Sequence, residues 1–337
     1  MFKDTNESRA DGISNSASRA RRSPSGSNDR QPVRSSVGIV GLGHMGIVMA
    51  ANLQAGGYRV TAYVRRAQQM SKLATLGLKP TMDIADLFDC EFVITMLPDD
   101  AALREVVFGH PGSGANGLAA GLMPGAVHLS MSTISTITAS ELASEHARCG
   151  QGYVAAPVFG NPDAAKAREL FIIAAGTPTD VERCQPIFDV LGQRTFLVGI
   201  APATANLIKL AGNVMTAATL EILGEVVALV RKRGFDPNQL IEILTGTMFG
   251  GRAHKIYGDK IAGQHYASSG FVFPLALKDV RLALAEAEAA GVPMPSVSVV
   301  RDRLVTGIAR GYSELDWSAL GLLAAEEAGL SLESAKG

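Results

Sequence analysis

The sequence predicts a doubly wound α/β domain followed by an all-α domain, with a long interdomain helix joining the two. Short apolar runs alternate with helical patterns from residue 36 to about residue 200, and strand-like runs stop beyond that point. Strands that alternate with helices form βαβ units, in which helices cover both faces of a parallel sheet. We therefore expect a first domain at residues 36–200 and a helical second domain at residues 201–337.

The predicted strands of the first domain begin with the apolar run 36–40, which ends at a group of glycines. Further strand-like runs lie at residues 59–64, 92–96, 126–130, 153–155, 171–174 and 195–198. Helical patterns separate most of these runs, for example at residues 46–55 and 67–76.

The second domain begins with one continuous helical pattern over residues 203–233, which ends in three cationic residues and Gly234. Cations at a helix C-terminus complement the helix dipole, and glycine suits the left-handed cap position. At about 1.5 Å per residue this helix would be about 45 Å long, more than one small domain needs. We infer that it spans the interface between the domains and is a candidate contact between subunits.

Composition narrows the class of protein. The chain has 337 residues, of which 47% are hydrophobic, and its formal net charge is −1. A near-neutral chain has no overall basic field, which argues against nucleic acid or an anionic membrane as the main partner. No apolar run approaches the ~20 residues of a membrane-spanning helix. The three cysteines are widely spaced, so we expect neither a disulfide framework nor a metal site, and we expect a cytoplasmic protein.

Residues 1–35 differ from the rest of the chain. They are rich in Ser, Arg, Asn and Asp and contain few hydrophobic residues. Such a segment cannot bury enough apolar surface to offset its ordering entropy, so we predict a disordered tail. It also lacks the apolar core of a secretory signal.

A glycine-rich segment follows the first predicted strand and opens a helix. It reads Gly41-Leu42-Gly43-His44-Met45-Gly46, which is the spacing GxGxxG of a Rossmann-like dinucleotide site. Gly41 would permit the tight turn, Gly43 would let the backbone approach a pyrophosphate, and Gly46 would let helix and strand pack closely. The N–H groups near His44 and Met45 would face the phosphates. The alternative is an ordinary tight turn.

The second predicted strand ends in Arg65 and Arg66. A site specific for NAD(H) normally places Asp or Glu here, where it binds both ribose hydroxyls. Two guanidinium groups suit a 2′-phosphate instead, through bidentate charge-assisted hydrogen bonds. We therefore predict that NADP(H) is preferred over NAD(H). The alternative is a pair of solvated surface arginines.

Several further segments, taken in order with the glycine loop, identify a resemblance. They are Met96-Leu97-Pro98, Ser132-Thr133-Ile134-Ser135, Ala156-Pro157-Val158, Lys209 with Asn213, and Leu277-Lys278-Asp279. Over residues 36–330 the chain resembles the β-hydroxyacid dehydrogenases, the family of 3-hydroxyisobutyrate dehydrogenase, tartronate semialdehyde reductase and glyoxylate reductase.

The resemblance implies a role for each matching residue. Leu97 and Pro98 would lie along the cofactor, Ser132 and Thr133 would lie near nicotinamide and substrate, and Lys278 would close over the cofactor. Lys209 would be the catalytic residue, with Asn213 and Ser132 beside it. The resemblance also implies a homodimer or homotetramer. We expect Asp279 to cap a helix or form a pair rather than act as an acid.

The spacing of Lys209 and Asn213 supports this assignment independently. Residues four apart project from one face of a helix. Gly212 and Thr216 share that face, which would leave room for a ligand. During carbonyl reduction an ammonium group would stabilise the developing oxyanion and donate a proton; in the reverse direction the neutral amine would remove one. The alternative for Lys209 is a surface lysine.

The expected substrate loop departs from the family pattern Asp-Ala-Pro-Val-Ser-Gly-Gly. Here Phe159 stands in place of the serine, Gly160 matches, and Asn161 replaces the second glycine. In the family this loop holds the substrate carboxylate through a hydroxyl group and close backbone contacts, whereas a phenyl ring removes the hydroxyl group and fills space. The predicted substrate residues are Ser132, Phe159, Gly160, Asn161 and Asn213.

The sequence thus predicts an NADPH-dependent oxidoreductase with Lys209 as general acid/base. It would reduce a small aldehyde or ketone of the semialdehyde or glyoxylate class, or oxidise the matching hydroxy acid. One alternative is an enzyme like the related imine reductases, with a bulkier apolar substrate. Another is a non-catalytic NADP-binding module. The six histidines show no metal-ligand spacing, so no metal is expected.

Overall fold

A computed structural model of the chain describes residues 35–109, 116–267 and 271–330. The predicted tail lies outside the described residues except for Ser35, and so do the last seven residues of the predicted second domain, 331–337.

The first half of the described chain is built on a six-stranded parallel sheet, as predicted. Its strands are β1 (Ser36–Val40), β2 (Arg59–Tyr63), β3 (Lys79–Thr81), β4 (Phe92–Thr95), β5 (Val127–Ser130) and β6 (Gly152–Ala155). The strands lie in the order β3-β2-β1-β4-β5-β6 and every neighbouring pair is parallel. The order reverses between β1 and β4, which creates a crevice at the carboxyl ends of these strands.

The strand β3 was not predicted from the sequence. It has three residues, contains Pro80 and forms one edge of the sheet. Proline cannot donate a hydrogen bond to a neighbouring strand, so within sheets it is confined to edge strands such as β3. Because proline is rare in strands, a short segment that contains it is not recognised as a strand from its sequence.

Helices cover both faces of the sheet. They are α1 (His44–Ala55), α2 (Met70–Thr75), α3 (Asp100–Phe108), α4 (Leu118–Gly121), α5 (Thr136–Arg148), α6 (Pro162–Lys166) and α7 (Pro178–Leu191). One apolar cluster joins the sheet to α1 and α7, and a second joins it to α3 and α5. The helix predicted at residues 67–76 is divided into a 3-10 turn, Ala67–Gln69, and α2.

A second, smaller sheet follows, which the sequence analysis did not distinguish from the first. Its strands are β7 (Val158–Phe159), β8 (Leu170–Ala174) and β9 (Gly192–Leu197). β7 pairs antiparallel with β8, while β8 and β9 are parallel. Residues 160–169 are too few for the crossover of about a dozen or more residues that a parallel β7–β8 pair would require.

The second half of the described chain is helical. It consists of α8 (Pro202–Lys232), α9 (Pro237–Gly246), α10 (Arg252–Ala262), α11 (Phe273–Ala289), α12 (Pro295–Ala309) and α13 (Leu320–Glu327). A third apolar cluster lies among these helices, with Leu220, Phe273 and Leu304 fully buried in it. The long helix predicted at residues 203–233 is α8, displaced by one residue at each end.

By length and composition alone, α8 could cross a membrane, although the sequence analysis expected no such segment. Half of its apolar window, 50%, is buried inside the protein. The buried face carries polar residues, among them Lys209, Asn213 and Glu221. This is the arrangement of a core helix around which a domain is built.

Candidate active site

A cleft of about 620 Å³ lies where the carboxyl ends of β1, β2, β4 and β5 face the start of α11. On the α11 side, Phe271, Leu275, Lys278 and Asp279 line it. All the residues predicted to bind the cofactor line it as well. These are Gly41, Leu42, Gly43, His44, Met45, Gly46, Arg65, Arg66, Leu97, Pro98, Thr133 and Lys278.

The glycine loop forms the floor of the cleft. Gly41 has a φ of +96°, and a Cβ there would lie 2.2 Å from the carbonyl oxygen of Met96. A Cβ on Gly46 would lie 1.9 Å from the carbonyl oxygen of Gly41, so only glycine lets α1 approach β1 this closely. Among the described residues, nothing apart from the chain next to Gly43 lies within 4 Å of a Cβ added at that position.

The first turn of α1 has the features of an anion site. Gly43 caps it without a side-chain hydrogen bond, and the first turn contains no acidic residue. The first N–H groups of the helix therefore have no carboxylate competing for them, and they carry the positive end of the helix dipole. Together with the open space above Gly43, this fits a pyrophosphate.

Arg65 and Arg66 line the cleft at the end of β2, and Thr133 and Lys278 line it beyond β5, on the side that we call its inner end. The arginines follow β2, whereas Thr133 follows β5, which is three strand positions away in the sheet. At about 4.8 Å per strand this separation is roughly 14 Å, which suits an extended dinucleotide. Arg65 and Arg66 are both exposed.

Ser132 lies beneath the loop that follows β4. Its Oγ accepts a hydrogen bond from the Leu97 N–H at 2.8 Å and donates one to the Thr95 carbonyl at 3.3 Å. The side chain is buried. Because its single hydroxyl hydrogen is directed at Thr95, Ser132 could offer a ligand only a remaining lone pair. In this arrangement it holds Leu97 in place.

A chain of polar contacts runs from Lys209 to the inner end of the cleft. Lys209 Nζ donates to Asn213 Oδ1 at 2.9 Å, and Asn213 Nδ2 donates to Asp279 Oδ2 at 2.5 Å. Asp279 Oδ1 in turn lies 2.9 Å from Lys278 Nζ, which donates to the Thr133 carbonyl at 2.5 Å. The chain connects α8, α11 and the loop after β5.

This chain fixes the orientation of the Asn213 amide. The Asp279 carboxylate can only accept, so the amide nitrogen faces Asp279 and the amide oxygen faces Lys209. Asp279 therefore forms a pair, as expected, and its position beside Asn213 was not foreseen. The sequence shows Asp279 next to Lys278, but nothing in it brings residues 213 and 279 together.

Lys209 is buried, with 9% of its surface exposed. Burial lowers the pKa of Lys209 from 10.5 to about 8; the Asp279 carboxylate acts against this shift, and the Lys278 charge adds to it. An amine with this pKa can hold or release a proton near neutral pH, which is what a general acid/base requires.

Phe159 occupies the space that the sequence analysis assigned to a ligand beside Gly212. A Cβ on Gly212 would lie 2.3 Å from Phe159 Cζ, so the phenyl ring rests directly on α8. The centre of the ring is 4.4 Å from Lys209 Nζ. The expectation that Gly212 leaves room for a ligand is therefore wrong, because a side chain of the protein itself fills that room.

The two residues after Phe159 serve the local backbone. Gly160 has a φ of +141°, which favours glycine. The Asn161 side chain accepts a hydrogen bond from the Ala164 N–H at 2.9 Å and so caps α6. Neither residue lines the cleft, and neither do Phe159, Ser132, Lys209 and Asn213. Lys209 and Asn213 lie behind Asp279, just beyond the inner end of the cleft.

Within the described part of the chain, no group of three or more His, Cys, Asp or Glu residues could hold a metal ion. Two of the histidines, His128 and His146, are fully buried and lie 2.8 Å apart between Nδ1 and Nε2. Burial lowers the pKa of both.

Comparison with known families assigns both halves of the chain. Residues 36–199 match the NAD-binding domain of 6-phosphogluconate dehydrogenase. Residues 203–332 match the NAD-binding domain of NADP-dependent 3-hydroxyisobutyrate dehydrogenase. Both matched families bind a nicotinamide cofactor, and the cleft lies between elements of the two regions.

Individual proteins agree with this result. An uncharacterized oxidoreductase of Bacillus subtilis, YfjR, is 37% identical over 84% of this chain and 98% of its own. The 2-hydroxy-3-oxopropionate reductase of Escherichia coli is 30% identical over 84% of this chain and 95% of its own.

Solved structures show the same fold. The 3-hydroxyisobutyrate dehydrogenase of Salmonella typhimurium covers 86% of this chain and 100% of its own, with a TM-score of 0.77 and 21% identity. An imine reductase from a Pseudomonas species is more distant, with a TM-score of 0.54, 21% identity and coverage of 86% and 99%. The chain therefore belongs to the β-hydroxyacid dehydrogenase family, and it is an NAD(P)-dependent oxidoreductase that acts on hydroxyl and oxo groups.

Proposed function

We propose that this protein is an NADPH-dependent reductase of a small aldehyde or ketone, with Lys209 as general acid. The same site would run the oxidation of the matching alcohol with Lys209 as general base. The observation that carries the proposal is the chain Lys209–Asn213–Asp279, which brings a buried amine to the inner end of a dinucleotide-shaped cleft. The semialdehyde and glyoxylate classes of substrate predicted from the sequence belong to the panel of compounds that tests the proposal.

The preference for NADPH rests on the end of β2. Arg65 and Arg66 line the cleft there and are exposed, so their guanidinium groups are free to turn toward a 2′-phosphate. Tyr63 and Val64, which precede the arginines, are not acidic. An acidic residue at that position would repel the phosphate. Charge-assisted bonds of this kind are about twice as strong as bonds between neutral groups.

The chemistry at the inner end follows from the donors in place. A nicotinamide held in the cleft would supply the hydride to the carbonyl carbon, or accept it from the alcohol carbon in the reverse direction. Lys209 stabilises the negative charge that develops on the substrate oxygen and gives that oxygen its proton. Asn213 holds the ammonium through its amide oxygen, and Asp279 prevents the amide from turning over. Lys278 ties α11 to the loop at Thr133, which keeps the two sides of the cleft together.

Three wider features belong to the same proposal. We propose a division into a cofactor-binding region, 36–200, and a helical region, 201–337, which the order of elements in the described residues supports. We also propose a cytoplasmic enzyme and an assembly of two or four copies. These two expectations rest on cysteine usage and family resemblance.

The test is NADPH consumption by the full chain on a panel of semialdehydes, glyoxylate, larger ketones and cyclic imines. Lys209→Ala should lower kcat by about 10²–10⁴-fold, the usual contribution of a general acid. Lys255→Ala, which removes an exposed lysine of α10, is the matched control and should keep full activity. Unchanged turnover in Lys209→Ala would contradict the role of Lys209.

Two other candidates are decided by the same panel. An imine reductase activity is favoured by Phe159, because its ring gives the site near Lys209 an apolar wall. Consumption with cyclic imines alone would select that activity. NADPH binding without turnover on any member of the panel would indicate a non-catalytic module.

A further inference from the structure

We propose that Phe159 sets the substrate class, selecting a neutral carbonyl compound that ends in an apolar group near the reacting carbon over one that carries a carboxylate in that place. The inference deepens the proposed function and rests on it. Three observations support it: the position of the phenyl ring, the backbone hydrogen bonds of Phe159, and the small number of cationic side chains near Lys209.

The position of Phe159 is fixed by close contacts. Its ring tip touches α8 at Gly212, between Lys209 and Asn213 in the sequence, and its centre is 4.4 Å from Lys209 Nζ. A cation over an aromatic face at this distance is attracted by the ring. The ring therefore covers one side of the ammonium group and leaves it a hydrocarbon neighbour where an anion could otherwise pair with it.

The backbone of Phe159 is also engaged, in hydrogen bonds with the neighbouring strand β8. The Ile173 N–H donates to the Pro157 carbonyl at 3.0 Å, and Phe159 stands directly opposite Phe171 in the same antiparallel pair. Hydrogen-bonded and non-bonded pairs alternate along such a ladder, so Phe159 and Phe171 form the next bonded pair. The N–H of Phe159 is then used within the small sheet rather than offered to a substrate carboxylate. The Asn161 side chain is used in capping α6.

The cations near the reacting centre are few and already engaged. Lys278 pairs with Asp279 and donates to the Thr133 carbonyl. Arg65 and Arg66 lie at the far end of the cleft. Among the described residues that line the cleft or form the chain of contacts, this leaves Lys209, whose proton is needed by the substrate oxygen. A carboxylate placed against Phe159 would lose its hydration without gaining a partner.

Apolar side chains provide the complementary surface. Phe271 and Leu275 line the cleft beside Lys278 and Asp279. Phe271 is held by Trp317, with ring centres 4.6 Å apart. An aliphatic or aromatic substituent gains from burial against such walls, at roughly 0.8 kcal/mol per buried CH₂.

The experiment compares pairs of aldehydes that differ only in the group in question. Methylglyoxal and glyoxylate form one pair, and 4-oxopentanal and succinic semialdehyde form another; in each pair a methyl group replaces a carboxylate oxygen. The quantity measured is the ratio of kcat/KM for the neutral member to kcat/KM for the anion, with NADPH in excess. Wild-type protein should favour the neutral member by about tenfold or more, a usual size for discrimination in an apolar pocket.

Variants of Phe159 then test the cause. Phe159→Ser should lower the ratio by about tenfold, because it removes the apolar wall and supplies a hydroxyl donor. Phe159→Leu keeps an apolar side chain and should keep the ratio within about threefold. If the serine variant does not fold, a retained ratio in Phe159→Leu, together with the wild-type preference, still tests the inference. Phe235→Ser, at an exposed phenylalanine beyond α8, is the control and should match wild type.

Each outcome has one meaning. A wild-type preference for the anions, or a ratio that Phe159→Ser leaves unchanged, overturns the inference while the proposed reduction stands. NADPH that binds but is consumed with neither member of either pair, nor with any other carbonyl compound, overturns the proposed function and this inference with it.

Discussion

At the scale of single residues, the environment of Lys209 decides its chemistry. An exposed lysine on α8 would remain protonated at neutral pH and could only bind. Burial among α8, α11 and Phe159 lowers its pKa to about 8, against the pull of Asp279 in the other direction. Since burial is the larger effect, Lys209 can exchange protons in the physiological range.

This shift predicts opposite pH profiles for the two directions. Reduction requires the protonated amine, so kcat/KM for the carbonyl substrate at saturating NADPH should be flat below about pH 8 and should fall above it. Oxidation requires the neutral amine, so its kcat/KM should rise up to the same pH and then level off. Steady-state rates measured between pH 6 and pH 10.5 distinguish the two. A reduction rate that stays flat up to the ordinary lysine pKa of 10.5 would contradict the account.

Single residues also show where the sequence stops being informative. The helical spacing placed Lys209 and Asn213 on one face, and the structure joins them by a hydrogen bond. The contact of Asn213 with Asp279 joins residues 66 apart and depends on how α11 packs against α8. Likewise, the spacing of residues on α8 left Gly212 open, whereas the Phe159 side chain reaches Gly212 from β7 in the smaller sheet.

At the scale of elements, strand ends and helix starts place the residues that are predicted to bind the cofactor. The turn from β1 to α1 carries the glycine loop, and the end of β2 carries the two arginines. The pattern of apolar runs was sufficient to predict both, because a parallel sheet brings the carboxyl ends of its strands to one edge. It was insufficient for β3 and β7, which are too short to show a pattern.

The end of β2 carries a prediction about cofactor choice. Arg65→Ala should raise KM for NADPH by about 10–100-fold, the loss expected for charge-assisted hydrogen bonds worth about 1.5–3 kcal/mol. KM for NADH should change little, because NADH lacks the 2′-phosphate. The measurement is the initial rate with each cofactor at a fixed carbonyl concentration.

A control for that variant lies on the same strand. Arg59 is the first residue of β2, so it lies at the amino end of the strand, while the arginines of the cleft follow the carboxyl end. Arg59 is exposed, and Arg59→Ala should leave both KM values unchanged. Equal losses of NADPH and NADH in Arg65→Ala would show that Arg65 holds a part common to both cofactors, and the preference for NADPH would be wrong.

At the scale of the whole molecule, the site forms where the sheet-based half and the helical half of the described chain meet. The glycine loop and the arginines come from the first half, and Lys209, Asn213, Lys278 and Asp279 come from the second. Fold class and the order of the two halves could be predicted from the sequence, since both depend on local periodicity. The small sheet of β7, β8 and β9 could not, because its pairing depends on the short connection after Phe159.

The same view explains why the reaction is better defined than the substrate. The dinucleotide site and the amine are built from backbone turns and one helix face, which short patterns reveal. The groups around Lys209 come from β7, α8 and α11 together, and short sequence patterns do not reveal how these three elements meet.

The central claim is that the Lys209 amine reaches the oxygen atom of the reacting carbonyl group. A crystal structure of the full chain with NADP⁺ and the alcohol product tests it most directly. The account predicts Lys209 Nζ within about 2.6–3.2 Å of the product oxygen, with the carbon of that alcohol facing the nicotinamide ring. If the amine stays hydrogen-bonded to Asn213 and in contact with the Phe159 ring, with the alcohol bound beyond its reach, the central claim is contradicted.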